Sequence, residues 1–512
     1  MQISGKNTIG YRLSQLGSKT FRTFNPLKNK ENESIFYEAV KEEVSEAMQL
    51  AAEAFQQYAR VPGKDRAKFL EAIAAGLETH REQLVRQYTL ESGLPEDRGN
   101  TELNRTIFHL GAFAALIKDD TWQRVAIDPA DPGRKPLPKP DLRKMYFPLG
   151  PVVVFGASNF PFAYSTIGGD ATAALAAGCP VIIKSHAMHA GTGDLVAQLI
   201  TKAAKETGMP DGVFSNLNAI GYEVGESLVL HPATKAVGFT GSFKGGMSLY
   251  KLNEKRTEPI PVFAEMGSLN PVIVLPGIMK AETDKVASTL AASVTQSAGQ
   301  FCTNPGLIFT IGNESLAAFK QKLAENIGAT APQCMLHPDI HKKYNELRKE
   351  VAAQASVTVL TEERKDVLPN HGVPQLSEVS GKVFLENKVL HGEVFGPHSL
   401  LVICDDETEL MKIVADLEGQ LAAAVFADET ELQDIGELVF ALQQKAGRII
   451  FNGVPTGVEV SAAMHHGGPF PATTDARFTA VGTDAIYRFV RAIALQGFPQ
   501  TLLPKFLNSG SI

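Results

Sequence analysis

Cysteine is scarce: the 512 residues hold four, Cys179, Cys302, Cys334 and Cys404. None forms a CxxC pair and the spacings are wide, which excludes a disulfide scaffold and a zinc ribbon; a reducing, cytoplasmic setting is expected. Long apolar runs are missing too. The longest, Ala171 to Ile183, contains Gly178 and Pro180 and falls short of the roughly 20 residues that span a bilayer, so no membrane span is expected. The opening MQISGKNTIGYRLSQLGSKTF has scattered charges and no continuous apolar core, so it does not read as a secretory signal. Positive charge is not in excess: 49 Lys+Arg against 56 Asp+Glu leave −7, which argues against a nucleic-acid partner. The densest basic run, Arg134 to Lys144, is broken by proline and reads as a solvated connector rather than an anion patch. Neither GxxxxGK(S/T), HExxH nor GxSxG occurs, which removes the local signatures of P-loop NTPases, zincins and α/β-hydrolases.

The composition that remains is globular, with 44% hydrophobic and 21% charged residues, and the length suits about two or three domains. Between about Ser34 and Ser92, apolar residues such as Val44, Met48, Ala51, Phe55 and Tyr58 recur at steps of three and four, which predicts amphipathic helices. From Pro151 the texture changes. PVVVF, PVIIK, VFSNL, KAVGFT and PVFAEM read as strands separated by helical stretches such as Thr192 to Thr207, the alternation of a parallel sheet. It restarts after Pro271 with PVIVL, a helical stretch, then GLIFTI, SVTVL, KVFLE, SLLVI, AAAVF and GRIIFNG, which predicts a second α/β domain.

Four segments stand out, each read as following a predicted strand, where open α/β sheets place ligands. In GASNFPF, Asn159 can direct its amide into a pocket as an oxyanion donor, with a plain turn Asn as the competing role. In FTGS, the glycine turn entering a helix can present backbone N–H groups to a phosphate, although a tight turn serves equally well. Glu265 closes the apolar strand VFAE; buried there, its pKa should rise toward that of a general base, whereas an exposed strand end would leave it inert. In QSAGQFCTNPG, Cys302 lies in a loop whose N–H groups can stabilise a thiolate and an oxyanion, while Cys179, Cys334 and Cys404 read as packing. The His186/His189 and His465/His466 pairs lack Cys or carboxylate partners at ligand spacing; structural or solvent roles are assigned and no metal is expected. Trp122 is expected to pack.

Taken in order, SNFPF, AAGCPVIIK, GMPDGVFSNL, FTGS, the Glu265 segment, GQFCTNPG, GEVFGP and GRIIFNG resemble the aldehyde dehydrogenase superfamily over nearly the whole chain. The resemblance implies an α/β fold with a Rossmann-like cofactor domain, a second α/β catalytic domain and a small oligomerisation sheet. It places the NAD(P)-binding domain at 1–127 and 148–264, the catalytic domain at 265–465, and oligomerisation segments at 128–147 and 480–512. It implies an enzyme in which Cys302 is the nucleophile, Asn159 an oxyanion donor with the Cys302 backbone N–H, and Glu265 the base for thioester hydrolysis. On the cofactor side, Lys184 matches the contact to the adenosine ribose, Gly241 and Ser242 the turn near the pyrophosphate, and Glu393 and Phe395 the residues around the nicotinamide ribose and ring.

Two departures stand out. Where members preferring NAD often read Lys-Pro-x-Glu, this chain reads Lys184-Ser185-His186-Ala187, so the acid that would bind a ribose 2′-OH is missing. NADP is then tolerated and expected to be preferred, with Lys184 and also His186 as partners for a 2′-phosphate and NAD still usable. Glu265 is followed by Met-Gly-Ser rather than Leu-Gly-Gly. HHGGPFPATTDARFTAVG and ELNRT are similar to the branch containing α-ketoglutaric semialdehyde (2,5-dioxovalerate) dehydrogenases and bacterial NADP-dependent fatty aldehyde dehydrogenases. The acid substrate needs a cation, for which Arg105 is the candidate against a helix-surface salt bridge; a fatty chain needs an apolar tunnel, for which Phe160, Tyr164, Phe301 and Phe470 are candidates against a role as core. The expected product of the acid is 2-oxoglutarate, and the expected assembly a homodimer or homotetramer. A non-catalytic protein on the same fold and a coenzyme A-acylating enzyme are the competing classes; Glu265 disfavours the latter because activated water competes with a thiol.

Overall fold

The computed structural model describes residues 1–508. Four helices, Lys41–Tyr58, Gly63–Thr79, Arg81–Ser92 and Glu96–Leu116, form the N-terminal region. The first buries Val44, Met48, Ala51 and Tyr58 of the stripe its sequence periodicity predicts, together with Ala47 and Ala54, while Phe55 is half-buried.

Two seven-stranded sheets follow. In the first the spatial order is Val262–Glu265, Ala236–Thr240, Val152–Phe155, Val181–Lys184 and Phe214–Leu217, all parallel, then the antiparallel pair Asn7–Ile9 and Arg12–Ser14. Sandwiched between layers of helices, Val152 to Phe155 and Val181 to Ile183 are buried, as expected for strands that read as unbroken β-branched runs. The chain reverses its direction of strand addition between Val152–Phe155 and Ala236–Thr240. A crevice opens at the carboxyl ends of strands flanking such a reversal, and the loops leaving these two strands carry Asn159 and Gly241–Ser242.

The chain crosses to the second sheet between Glu265 and Val272. Its order is Thr358–Val359, Gln375–Ser380, His398–Cys404, Leu307–Ile311, Val272–Val274, Gln420–Phe426 and Ala446–Phe451. Cys302 precedes the strand Leu307–Ile311, and Glu393 and Phe395 precede His398–Cys404, so the amino edge of this sheet faces the carboxyl edge of the first. One expectation fails here. KVFLE is not a strand but part of the helix Gly381–Glu386, because the strand is the preceding QLSEVS and Ser380 Oγ then caps the helix by accepting from Val383 N–H. SVTVL contributes only the two-residue strand Thr358–Val359.

Val490–Gln496 pairs antiparallel with Leu142–Pro148, which also pairs with Ala126–Asp128, giving a separate three-stranded sheet. The solvent-facing alternation of Val490–Gln496 leaves one face of it open. Residues 509–512 of the expected C-terminal oligomerisation segment lie outside the described residues. Trp122, Cys179, Cys334 and Cys404 are buried, in keeping with packing roles, and no helix is long and apolar enough to cross a membrane among the described residues.

Candidate active site

The loop that carries Asn159 is held from beneath by a buried carboxylate. Glu102 Oε1 accepts from the backbone N–H groups of Phe162 and Ala163 at 2.8 and 3.0 Å, and Glu102 Oε2 accepts from Tyr88 Oη at 2.9 Å. Fixed this way, Asn159 points its amide toward the second domain and donates from Nδ2 to the carbonyl of Gln300 at 3.2 Å.

The segment leading to Cys302 turns through three consecutive left-handed residues, Ser297, Ala298 and Gly299, with φ of 50°, 54° and 64°. Two of them carry side chains in a region that costs roughly 1–2 kcal/mol each. Glycine is required at the third, because a Cβ on Gly299 would lie 2.2 Å from the Gly396 carbonyl oxygen. Asn270 fastens the loop, donating from Nδ2 to the carbonyls of Cys302 at 2.8 Å and Asn304 at 2.9 Å. The strain brings Cys302 into a cavity of about 310 Å³ lined by Asn159, Thr240, Gly241, Ser242, Glu265, Glu393 and Phe395.

Glu265 is buried at the end of its strand, and the segment 466–474 runs beside it through an isolated bridge between Glu265 and Thr473. That pairing delivers His466, whose Nε2 lies 3.0 Å from Glu265 Oε1 and 3.6 Å from Cys302 Sγ. Sequence reasoning assigned His466 a structural or solvent role; the structure corrects this, for a sequence separation of more than 160 residues leaves no local spacing to read. Nε2 has one proton to share, given to the Glu265 carboxylate or, once a thiolate forms, to Sγ. The three donor atoms lie within 4.8 Å of one another and have the chemistry to take a thiophilic cation as well.

Burial pushes Glu265 up, as anticipated, but the charge and hydrogen bond of His466, then Arg488 and the Cys302 thiol, more than offset it, so the carboxyl is held below its usual range rather than above. The expected rise is thereby corrected. Cys302 moves the other way: burial and then the Glu265 charge push its thiol well up. Glu265 Oε2 is buried without a hydrogen-bond partner among the described residues, leaving one basic oxygen for a water or a thiol proton.

Several features fit a dinucleotide. The helix Phe243–Asn253 begins just after Gly241 and Ser242, with Ser242 Oγ accepting from Gly245 N–H at 3.2 Å, so its first N–H groups face the crevice. Lys184 donates to the Ala219 carbonyl at 2.7 Å; burial lowers it to about 8, opposed by the charge of Glu38. Ser185 is buried, and its hydroxyl has no hydrogen-bond partner among the described residues. His186 accepts from Met188 N–H, stacks on His189 at 5.2 Å, and is kept uncharged by burial and by His189, Lys184 and His337, which makes it a poor partner for a phosphate. Glu38, which no local motif marks, accepts from the N–H groups of Ile220 and Gly221. Glu393 is raised to about 7 by burial, opposed by the Ser268 amide, and its Oε2 would lie 2.2 Å from a Cβ on Gly267.

On the opposite side of Cys302, Phe160, Tyr164 and Phe301 cluster, with ring centroids 5.1 Å apart for Phe160 and Tyr164 and 5.6 Å for Phe160 and Phe301. Arg105 donates to Tyr164 Oη at 3.3 Å and to the Val458 carbonyl, and its charge favours the Cys302 thiolate. It has no carboxylate partner among the described residues, so it is not a helix-surface salt bridge. Phe470 is not with this group. It is 58% exposed and packs on Phe243 at 6.0 Å, beside the cofactor turn.

Residues 13–470 match the aldehyde dehydrogenase family. α-Ketoglutaric semialdehyde dehydrogenase 2 of Azospirillum brasilense is 42% identical across all of this chain and 98% of its own length. The α-ketoglutaric semialdehyde dehydrogenase of Acinetobacter baylyi is also 42% identical, across 99% of this chain and 96% of its own. Among solved structures, betaine aldehyde dehydrogenase of Staphylococcus aureus aligns with a TM-score of 0.82 at 22% identity, covering 98% of each chain. This chain belongs to the aldehyde dehydrogenase family and is an oxidoreductase that acts on aldehydes.

Proposed function

We propose that this enzyme oxidises α-ketoglutaric semialdehyde to 2-oxoglutarate through a thioester on Cys302. The observation that carries the substrate reading is Arg105, a cation without a carboxylate partner among the described residues, set in the aldehyde side of the site beside Tyr164. The two relatives at 42% identity bear the name of that activity.

Each step has a group in place. Glu265 takes the Cys302 proton, and Sγ attacks the aldehyde carbon to give a thiohemiacetal. The negative oxygen is met by Asn159 Nδ2–H and the Cys302 backbone N–H. A nicotinamide dinucleotide, when bound, would supply the hydride acceptor, and Glu393 and Phe395 would hold its ribose and ring. Loss of hydride leaves a thioester on Sγ; once Glu265 has released the first proton to solvent, its Oε2 removes a proton from water, whose oxygen attacks the acyl carbon and expels Sγ. The expelled thiolate is reprotonated from Glu265 or His466, closing the cycle.

We assign the cofactor as NADP or NAD. Lys184 and the open position at Ala187 admit a 2′-phosphate, whereas Glu38 beside Lys184 opposes it. The same reading makes 1–127 and 148–264 the cofactor domain and 265–465 the catalytic domain. The three-stranded sheet from 128–147 and 480–508 would join copies of the chain into a dimer or tetramer in the cytoplasm, which light scattering on the purified protein checks.

The Phe160, Tyr164 and Phe301 cluster favours a second reading, an NADP-dependent medium- or long-chain fatty aldehyde dehydrogenase. Initial rates for α-ketoglutaric semialdehyde, succinic semialdehyde, hexanal and decanal, each with NAD and NADP, separate the two. The highest kcat/KM for the keto acid supports the first reading, and the highest for decanal overturns it.

A further inference from the structure

Four arginines approach the reacting centre, and they are not equivalent. Arg98 stacks over Phe160 and Phe301, 4.5 and 5.0 Å from the ring centroids, but Glu102 lies 3.5 Å away and neutralises it. Arg488 is paired with Asp170 at 2.8 Å. Arg105 and Arg448 have no carboxylate within 4 Å among the described residues. They enter from different elements, Arg105 from the helix Glu96–Leu116 and Arg448 from the edge strand Ala446–Phe451. Both grip one turn: Arg105 donates to the Val458 carbonyl, and Arg448 donates to the carbonyls of Gly457, at 2.7 Å, and Pro455. Arg448 Nε is buried and has no hydrogen-bond partner among the described residues. Glu459, the next acid along the chain, accepts from its own neighbour Val460 N–H instead. Burial lowers Arg448, and Cys302 and Tyr164 oppose that, which puts its charge in reach of the reacting sulfur.

A sparsely paired guanidinium in a partly buried site is costly unless an anion joins it. Two of them are fixed to the same turn and both are felt by Cys302, in a chain of net charge −7. We propose that Arg448 is a second specificity-determining cation, acting with Arg105, that binds the terminal carboxylate and adjacent oxygen of an acidic aldehyde. This rests on the acidic-substrate reading above but extends it to a residue on a different strand.

The test uses the full-length enzyme with hexanal as substrate and glutarate as a competitor, together with the ratio of kcat/KM for succinic semialdehyde over hexanal. In the parent, glutarate competes with hexanal. Arg448→Gln, which keeps a donor and loses the charge, should raise the glutarate Ki and lower that ratio, each by tenfold or more. Arg448→Lys, which keeps the charge and loses the fork, should stay within about threefold of the parent. A residue that only tethers the turn would harm both aldehydes alike; an unchanged ratio and glutarate Ki in Arg448→Gln overturns the proposal. If glutarate competes through Arg448 but α-ketoglutaric semialdehyde is not oxidised, the named substrate fails while the cation pair stands. Melting temperatures identify a variant that fails to fold; should Arg448→Gln do so, Arg448→Met, which also loses the charge, is read by the same glutarate Ki and the same ratio, with the same outcomes.

Discussion

His466 Nε2 lies 3.0 Å from Glu265 Oε1, which places an imidazole between the carboxylate and the Cys302 sulfur. The contact reverses the usual consequence of burying a glutamate, because the partner holds the carboxyl below its ordinary range. A lowered base stays ionised to more acidic pH, so activity that depends on it persists as pH falls.

Replacing His466 with Gln removes that hold. The Glu265 pKa then rises, the base is protonated at higher pH, and the acid limb of the kcat profile moves toward neutrality. We expect kcat at pH 7 to fall about 10²-fold, the size of a typical proton-transfer contribution. Steady-state rates from pH 5 to 9 check it; an acid limb that does not move contradicts the pairing.

Glu265 also acts on the thiol. Its charge is the second cause, after burial, of the raised Cys302 pKa. Glu265→Gln should therefore shift the pH midpoint of iodoacetamide alkylation at Cys302 to lower pH, since a thiolate no longer forms beside an anion. Alkylation rates followed by peptide mass spectrometry measure that midpoint, and an upward shift is the opposing result.

Gly267 and Glu393 give a cofactor-side prediction. A Cβ at Gly267 would meet the tip of the Glu393 side chain, which can swing aside, so Gly267→Ala should fold normally yet raise the cofactor KM about tenfold by displacing the carboxylate. In the parent, with Glu393 near 7, cofactor affinity should weaken as pH drops through that value and the acid becomes neutral. Fluorescence titration of reduced cofactor between pH 6 and 8 reads both effects.

Glu38 sits where its charge reaches Lys184. Glu38→Gln removes a repulsion against a 2′-phosphate and should raise the NADP over NAD ratio of kcat/KM by roughly an order of magnitude. A ratio that stays constant would place Glu38 in loop support alone, through Ile220 and Gly221.

Much of this site is legible in the sequence, and the reasons are local. Asn159, Glu265 and Cys302 each stand at a strand boundary in a short segment whose texture marks it, and the unbroken β-branched runs reveal the parallel sheets. KVFLE misleads because Val, Phe and Leu suit a strand as well as a helix, and only the capping bond of Ser380 decides. His466, Glu38 and Asn270 act through contacts between distant segments, while Arg448 is tied to a turn close by in sequence that only the structure shows is shared with Arg105. Their roles follow from the bridge at Thr473, the loop after Leu217, the left-handed turn before Cys302 and the turn at 455–458, none of which a local spacing encodes. Phe470 resembles its aromatic counterparts in sequence but falls on the cofactor side of the cavity.

The acyl-enzyme offers the most direct test. Glu265→Gln should trap it: incubated with α-ketoglutaric semialdehyde and NADP or NAD, then quenched in acid, the peptide bearing Cys302 should carry the mass of a 2-oxoglutaryl thioester, and omission of cofactor should abolish it. Steady oxidation of the aldehyde by an enzyme in which Cys302 has been replaced by Ser, at a rate within a few-fold of the parent, would contradict the mechanism.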